Sequence, residues 1–193
     1  MINFKSLNLK KALILAGSVL LAAALLLLCL WQWGINSSAK RLKETVEEIY
    51  SIIPTPTGAV LEEKLENTMP ILSVNKTDFI GLLEMPRFGL VLPVANDFEN
   101  TTKHPCKFSG SAYTKNLIIG ATTQKGQFDF FREISVGDTL FFTDMQGSRY
   151  TYSVTDLRFV KHADQAALTY QEAALTLFIK NIYSFEYLIV SLN

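Results

Sequence analysis

Apolar and polar residues follow three successive patterns along this chain of 193 residues. The first part is almost wholly apolar, the second repeats apolar side chains at helical spacing, and the third alternates short apolar runs with turn residues. We expect a membrane anchor, an amphipathic helix and a β-rich domain, in that order. The predicted boundaries are a cytoplasmic N-terminus at 1–11, a transmembrane anchor at 12–33, a helical stalk and linker at 34–77, and a folded domain at 78–193.

The apolar run from Ala12 to Trp31 has the length of a membrane span, because about 20 helical residues match a hydrocarbon core of about 30 Å. Lys5, Lys10 and Lys11 precede it with no acidic residue among them, so the positive-inside rule places the domain outside the cell. The alternative is a cleaved signal peptide with its processing site in the small residues 37–39. Signal-peptide apolar regions are usually about 7–15 residues long, which favours an uncleaved anchor.

An amphipathic helix is predicted after the anchor. Its apolar stripe has spacings of four and three residues and consists of Leu42, Val46, Ile49 and Ile53. We expect a cap near Ser37 or Ser38 and an end at Pro54, followed by a second short helical stretch around residues 61–65. The repeat covers too few heptads for a coiled coil, which favours a stalk that packs one stripe on the domain.

The remaining pattern is that of a mainly β domain. Gly147 lies in a turn between two apolar runs and can take the positive φ that closes a hairpin. Residues 163–174 are expected to form a helical or irregular connection. The predicted strands cover residues 79–86, 88–94, 139–143, 149–154, 175–179 and 187–192, and we expect the last two to form a second hairpin that closes the sheet.

Charge and metal-ligating residues exclude several function classes. Lysines and arginines number 18, as do aspartates and glutamates, and no basic stripe favours nucleic-acid binding. His104 and His162 lack supporting carboxylate motifs, and no glycine loop for phosphate is present, so we expect no metal and no cofactor. Cys29 lies in the anchor and Cys106 is the only other cysteine, so no disulfide is expected within the domain.

Four segments of the domain resemble the framework of the sortases, most closely the class B-like branch. They are Pro105–Tyr113, Asn116–Ile119, Val136–Asp138 and Leu175–Phe178. The resemblance runs from about Asp78 to Asn193. It implies a closed β-barrel behind an N-terminal anchor, on the envelope of a Gram-positive cell.

The same resemblance identifies three positions that carry catalysis in the family. The family's His follows a Leu-Val-Ile-Ala-Gly strand, and its position corresponds to Thr122. The family's Cys follows Leu-Thr-Leu-Phe-Thr, and its position corresponds to Lys180. The position of the family's Arg corresponds to Tyr187. Thioester chemistry needs a nucleophile, a proton shuttle and an oxyanion stabiliser. A threonine does not shuttle protons near neutral pH, a lysine is normally a protonated ammonium, and a tyrosine offers one donor in place of five. The resemblance therefore implies a pseudoenzyme.

The partners that this resemblance implies are a peptide sorting signal, a pilin-like protein or an active sortase. Thr122, Lys180 and Tyr187 are then the candidate binding residues, with Lys180 and Tyr187 at the mouth of a cleft and suited to an acidic segment. A cleft collapsed around the Tyr187 ring is the competing expectation.

Three other functions stay open. The first is an active transpeptidase with unrecognised residues, but no Cys lies between Lys107 and Asn193, and the family framework favours a structural Cys106. The second is an enzyme with a Ser184–Lys180 dyad like that of the signal peptidases. A lysine in a turn is too well solvated to act as a base, however, and a Lys180–Glu186 salt bridge is the better use of the charge. The third is a structural scaffold of the envelope.

Overall fold

The computed structural model describes residues 9–54, 68–98, 101–161 and 173–193, and within them all side chains except those of residues 9–15 and 31–39. The chain divides into two compact units, Met1–Ser37 and Ser38–Asn193. The predicted helical stretch at 61–65, most of the predicted connection at 163–174, and His162 lie outside the described residues.

One long helix is followed by short strands, in keeping with the alternating pattern of the sequence. The helix α1 spans Leu9–Ile52, and single turns of 3-10 helix lie at Pro86–Phe88 and Phe131–Glu133. The strands are β1 (Leu72–Val74), β2 (Thr77–Met85), β3 (Leu90–Ala95), β4 (Cys106–Ser109), β5 (Leu117–Thr122), β6 (Thr139–Asp144), β7 (Arg149–Val160), β8 (Leu175–Lys180) and β9 (Tyr187–Leu192). The predicted hairpins β6–β7 and β8–β9 are confirmed.

The strands form one sheet in the order β1-β2-β3-β4-β5-β8-β9-β7-β6, and β2 also pairs with β6. The β2–β6 pairing closes the eight strands from β2 through β9 into a barrel, so the prediction of a mainly β, closed barrel is confirmed. The pairs β3–β4 and β5–β8 are parallel, and the others are antiparallel. The β3–β4 pairing is the shortest in the sheet, with Ala95 and Cys106 as its one pair of register partners.

Alternate side chains of each strand fill the barrel, as the period of two requires. On the three strands that concern function, the inward residues belong to one buried apolar cluster. They are Leu117, Ile119 and Ala121 of β5, Leu175, Leu177 and Ile179 of β8, and Leu188, Val190 and Leu192 of β9. The residues between them lie on the outer face of the barrel.

The C-terminal part of α1 packs on the outer face of β2 and β3. The predicted apolar stripe is buried, with Ile49 fully so, and it contacts Phe79 and Leu82. The helix ends at Ile52 because Pro54 follows and disfavours helical geometry before it. Gly147 of the β6–β7 turn has φ +82°, and a Cβ there would lie 2.7 Å from the Pro54 carbonyl oxygen.

The structure differs from the sequence analysis at the start of the amphipathic helix and at the start of the sheet. The amphipathic helix does not begin near Ser37 or Ser38, because α1 is continuous through both. No proline interrupts the chain before Pro54, and a serine caps a helix only where the backbone before it leaves helical geometry. The sheet also begins at β1, inside the segment that the sequence assigned to the linker.

The exposed apolar residues of the first unit lie on α1 between Val19 and Leu30, and they include Leu20, Leu25 and Leu27. Within the part of the chain that the structure describes, no helix is long and apolar enough to cross a membrane. The predicted span at 12–33 is therefore not confirmed by the structure.

Candidate functional site

Thr122, Lys180 and Tyr187 lie side by side on three neighbouring strands. Thr122, the last residue of β5, is the register partner of Lys180, the last residue of β8, and Lys180 is the partner of Tyr187, the first residue of β9. Cross-strand partners point to the same side of a sheet. Their neighbours within the strands, Ala121, Ile179 and Leu188, face the core, so these three side chains lie on the outer face. We call them the site row.

The environment changes from buried to exposed along the site row. Thr122 is 1% exposed, Tyr187 is half-buried and Lys180 is exposed. The Thr122 hydroxyl lies 3.5 Å from both the Thr101 carbonyl and Oε1 of Gln127. Nε2 of the buried Gln127 donates to the carbonyls of Thr101 and Thr102 at 3.2 and 3.0 Å. Thr122 is therefore held in a neutral hydrogen-bond network, which supplies no group that titrates near neutral pH.

The sequence analysis missed Gln127, which lies five residues after Thr122. Its amide links the loop after β5 to the segment before β4, which closes the Thr122 end of the site row. A buried amide beside a strand end is the signal that could have identified it.

The turn between β8 and β9 is fixed by hydrogen bonds within the turn and by one to Thr123, which follows β5. The amide of Asn181 donates to the Glu186 carbonyl at 2.9 Å, and Oδ1 of Asn181 accepts from the Tyr183 amide at 3.0 Å. The Ile182 amide donates to Oγ1 of Thr123 at 3.1 Å. The turn thus fixes the strand ends on which Lys180 and Tyr187 lie.

The predicted Lys180–Glu186 salt bridge is wrong. Oε2 of Glu186 instead lies 3.4 Å from Nη2 of Arg132 and accepts from the Ser184 hydroxyl at 3.5 Å. Because Tyr187 is the partner of Lys180, the adjacent Glu186 side chain points to the opposite side of the hairpin. Among the residues that the structure describes, Lys180 has no ion pair, and Ser184 bonds to Glu186 rather than to Lys180, which argues against a Ser–Lys dyad.

Three phenylalanine rings lie next to the site row, and we call them the aromatic cluster: Phe98, Phe108 and Phe178. Their ring centroids are 5.1 Å apart for Phe98–Phe108, 5.6 Å for Phe98–Phe178 and 5.5 Å for Phe108–Phe178. Phe178 is on the same face of β8 as Lys180, two residues earlier, and its register partner on β5 is Gly120. The cluster therefore covers the outer face immediately below the site row.

Comparison of the sequence finds no matching family model and no matching curated protein. Comparison of the fold does find solved structures, and they are sortases. Sortase A from Corynebacterium diphtheriae matches with a TM-score of 0.54 at 16% identity, over 82% of this chain and 83% of that chain. Sortase C1 from Streptococcus agalactiae matches with a TM-score of 0.53 at 20% identity, over 63% of this chain and 69% of that chain. The chain has the sortase fold.

A third solved structure, described as sortase C1 of GBS Pilus Island 1, has a TM-score of 0.51 at 17% identity, over 82% of this chain and 81% of that chain. These neighbours are sortases of the A and C types, so the class B-like assignment stays a prediction. Thr122, Lys180 and Tyr187 occupy one row in this sortase fold, and their correspondence to the family's His, Cys and Arg stays a prediction.

Cys106 is the thiol nearest to the site row among the described residues of the sortase-fold domain. It lies on β4 opposite Gly120, is 1% exposed, and its Sγ donates to the His104 carbonyl at 3.2 Å. The His104 ring packs edge-on against Phe79, and its buried Nδ1 has no hydrogen-bond partner. Burial, followed by the nearby Lys103 charge, lowers the pKa of His104, which favours the neutral form of its imidazole.

Cys106 and His104 line a cavity of about 330 Å³ together with Asp78, Asp97 and two lysines. The thiol donates to the backbone carbonyl of His104, and Nδ1 of the imidazole has no hydrogen-bond partner. No cluster of three or more histidine, cysteine or carboxylate side chains suited to a metal ion occurs among the residues that the structure describes. The Cys106 thiol and the His104 imidazole line one cavity, and Nδ1 of this imidazole makes no hydrogen bond that would activate the sulfur.

Proposed function

We propose that this chain is a membrane-anchored pseudosortase of the cell envelope, which binds a peptide and does not transfer it. The peptide is a sorting signal or a segment of a partner in surface-protein or pilus assembly. One observation carries the proposal: a threonine, a lysine and a tyrosine form the site row at the strand ends where the resemblance expects His, Cys and Arg. The row keeps a defined surface but offers no thiolate, no imidazole and no guanidinium.

Loss of chemistry in this row is compatible with retained binding. Contacts with a peptide's side chains contribute to affinity whether or not the reacting groups are present. Lys180 is exposed and has no ion pair among the described residues, so its ammonium is available to a carboxylate. The half-buried Tyr187 ring beside it adds apolar area and one hydroxyl. An acidic peptide segment is the ligand class that this pair fits.

Membrane attachment by residues 12–33 is the second part of the proposal, with residues 1–11 in the cytoplasm and the domain 78–193 outside. The exposed leucines on α1 between Val19 and Leu30 support it, because apolar side chains exposed at this density are stabilised by lipid. We expect the chain in the membrane fraction, with its domain cleaved by protease added to intact cells. A secreted form that begins at Lys40 would contradict this part.

The binding test uses the full-length chain in lipid nanodiscs and fluorescently labelled envelope peptides with acidic segments. We expect Lys180→Glu to weaken binding about tenfold and Tyr187→Ala to weaken it less, because a reversed charge opposes the ligand. Lys43→Glu, on the exposed side of α1, is the matched charge control and should bind like the wild type. Equal affinity in all four proteins would remove the site row from the account and leave an envelope scaffold.

A cysteine transpeptidase is the second candidate, because Cys106 and His104 line one cavity. Its observable is peptide cleavage that disappears in Cys106→Ala. Burial of the sulfur argues against it, and we expect thiol reagents to label Cys106 slowly in the folded chain and at least about tenfold faster in denaturant. Fast labelling without denaturant would revive this candidate.

A further inference from the structure

The cavity that Cys106 and His104 line is separate from the site row. Its walls come from the β1–β2 turn with the start of β2, from the end of β3, and from the segment that leads into β4. The site-row residues are not among the described residues that line it, and β5 separates β4 from β8 in the sheet. Small-molecule sites in proteins typically have volumes of about 300–1,000 Å³, and this cavity of about 330 Å³ reaches that size.

The cavity is lined by charges of both signs, two ammonium groups and two carboxylates, which belong to Lys76, Lys103, Asp78 and Asp97. Within the described parts of the chain, no ion pair joins one of these lysines to one of these aspartates. Oδ1 of Asp78 accepts from the Ser73 hydroxyl, and Oδ1 of Asp97 accepts from the Asn96 side-chain amide at 3.1 Å. Each of these bonds uses one of the two carboxylate oxygens. The cavity thus offers cations and anions that do not neutralise one another.

The His104 imidazole adds an unused polar atom to the same lining. Its Nδ1 is buried without a hydrogen-bond partner, and the ring is packed edge-on against Phe79 with the centroids 5.1 Å apart. Buried polar atoms are almost always hydrogen-bonded, because an unpaired one costs free energy. In the neutral tautomer that carries its proton on Nε2, Nδ1 accepts a hydrogen bond. A ligand that donates an N–H to Nδ1 would remove this cost.

The buried end of the cavity is apolar, whereas its rim is charged. Ala95 and Cys106 are 5% and 1% exposed, and both belong to the apolar cluster beneath the helix stripe. Lys76, Lys103 and Asp97 are exposed. A ligand that fits this lining has charged groups of both signs at one end and a small apolar group at the other.

We propose that this cavity binds a small zwitterion with a primary ammonium and a carboxylate, the chemistry shared by free α-amino acids and short peptides. The ligand's ammonium lies at the two aspartates and donates to Nδ1 of His104, and its carboxylate lies at Lys76 and Lys103. A small side chain contacts Ala95 and the Cys106 sulfur. Binding is noncovalent and does not depend on peptide binding at the site row, so this inference goes beyond the proposed function.

The experiment is equilibrium dialysis of the full-length chain in lipid nanodiscs against radiolabelled probes. L-alanine and L-alanyl-L-alanine distinguish a free amino acid from a peptide. N-acetyl-L-alanine lacks the ammonium, and L-alaninamide lacks the carboxylate. The variants are Lys103→Glu and His104→Phe, with Lys115→Glu as the matched charge control, because Lys115 is an exposed lysine in the turn before β5. Thermal unfolding of each protein confirms that it is folded.

We expect the wild type to bind at least one zwitterion at millimolar concentration, and each analogue at least about tenfold more weakly, because one set of charged groups then stays unpaired. Lys103→Glu should weaken binding of the zwitterion about tenfold, because the reversed charge repels the carboxylate. His104→Phe keeps the ring against Phe79 and removes Nδ1, so it should weaken binding by a smaller factor. Lys115→Glu should match the wild type.

Three results would overturn the proposal: no binding of either zwitterion to the folded wild type, equal binding of zwitterions and analogues, or unchanged binding in Lys103→Glu. Binding of L-alanine alone would assign the cavity to free amino acids. Binding of the dipeptide alone would assign it to short peptides. Because all probes lack an acidic side chain, these outcomes are independent of the Lys180→Glu test at the site row.

Discussion

The outer face of the barrel is used differently in its two halves. Over β2 and β3 it is covered by the C-terminal part of α1, where Ile49 is fully buried against Phe79 and Leu82. Over β5, β8 and β9 it carries the site row, from the buried Thr122 to the exposed Lys180, beside the aromatic cluster. The first half holds the fold together, whereas the second can change its exposed residues at little cost in stability.

This difference separates the residues of the site row from those that build the sortase fold. The inward side chains of β5, β8 and β9 are apolar and fill the core, and they alternate with the residues of the site row. Substitution on the outer face leaves that core untouched. The chemistry of a site and the stability of its barrel are therefore separable in this molecule, and each can be tested by itself.

The largest expected effect is in the half covered by the helix. Ile49→Ala removes buried methyl groups and should lower the free energy of unfolding of the unit Ser38–Asn193 by about 2–5 kcal/mol in a urea titration. Ile52→Ala, on the same helix but 54% exposed, is the matched control and should change it by less than about 0.5 kcal/mol. Equal effects would show that α1 does not pack on the barrel in solution.

The contact between α1 and the barrel should also weaken in alkali. The Tyr50 hydroxyl donates to Oε1 of Glu84 at 3.1 Å, and Arg149 pairs with the same carboxylate. Burial, followed by the Glu84 charge, raises the pKa of Tyr50 from 10.0 to about 12. The folded state thus holds this proton more tightly than the unfolded state, so the stabilisation is complete below about pH 10 and is lost as pH rises through about 12.

The measurement is the urea midpoint between pH 9 and pH 12 for wild type and Tyr50→Phe. We expect the wild type to lose stability over this range more steeply with pH than Tyr50→Phe. The difference between the two slopes should correspond to the release of up to about one proton on unfolding. Phenylalanine keeps the ring and removes the titrating group, so it isolates the proton. Parallel curves for the two proteins would show that the Tyr50 hydroxyl does not bond to Glu84 in solution.

The smallest stability effect is expected in the site row. Lys180→Glu should change the free energy of unfolding by less than about 0.5 kcal/mol, because the side chain is exposed and no ion pair is lost. The same variant weakens peptide binding under the proposal above. A loss of more than about 2 kcal/mol in the urea titration would mean that Lys180 is part of the fold and not of a binding surface.

Much of this fold could be predicted from the sequence. The β6–β7 and β8–β9 hairpins follow from short apolar runs that turn signals separate, and the helix stripe follows from its spacing. The sequence analysis missed β1 because its three residues are too few to show an alternation. The start of the helix was wrong because a serine that could cap a helix can equally lie inside one.

Part of the site row could also be predicted, since the resemblance places Lys180 and Tyr187 side by side on the last hairpin; the role of the row stays a prediction. The surroundings of the site row could not be predicted. Phe98 lies in a loop, and its contacts with Phe108 and Phe178 join parts of the chain that no local pattern connects. The Arg132–Glu186 pair likewise depends on the register of the β8–β9 turn, which decides the side of the hairpin to which Glu186 points.

The proposed function requires that this chain binds peptide without acyl transfer. Intact-protein mass spectrometry tests it most directly: the full-length chain is incubated with a sorting-signal peptide, quenched in acid and weighed, beside Cys106→Ala. The account predicts the unmodified mass for both proteins and intact peptide, because the site row lacks a nucleophile and the Cys106 sulfur is buried. An acyl adduct on the wild type that is absent from Cys106→Ala would contradict it.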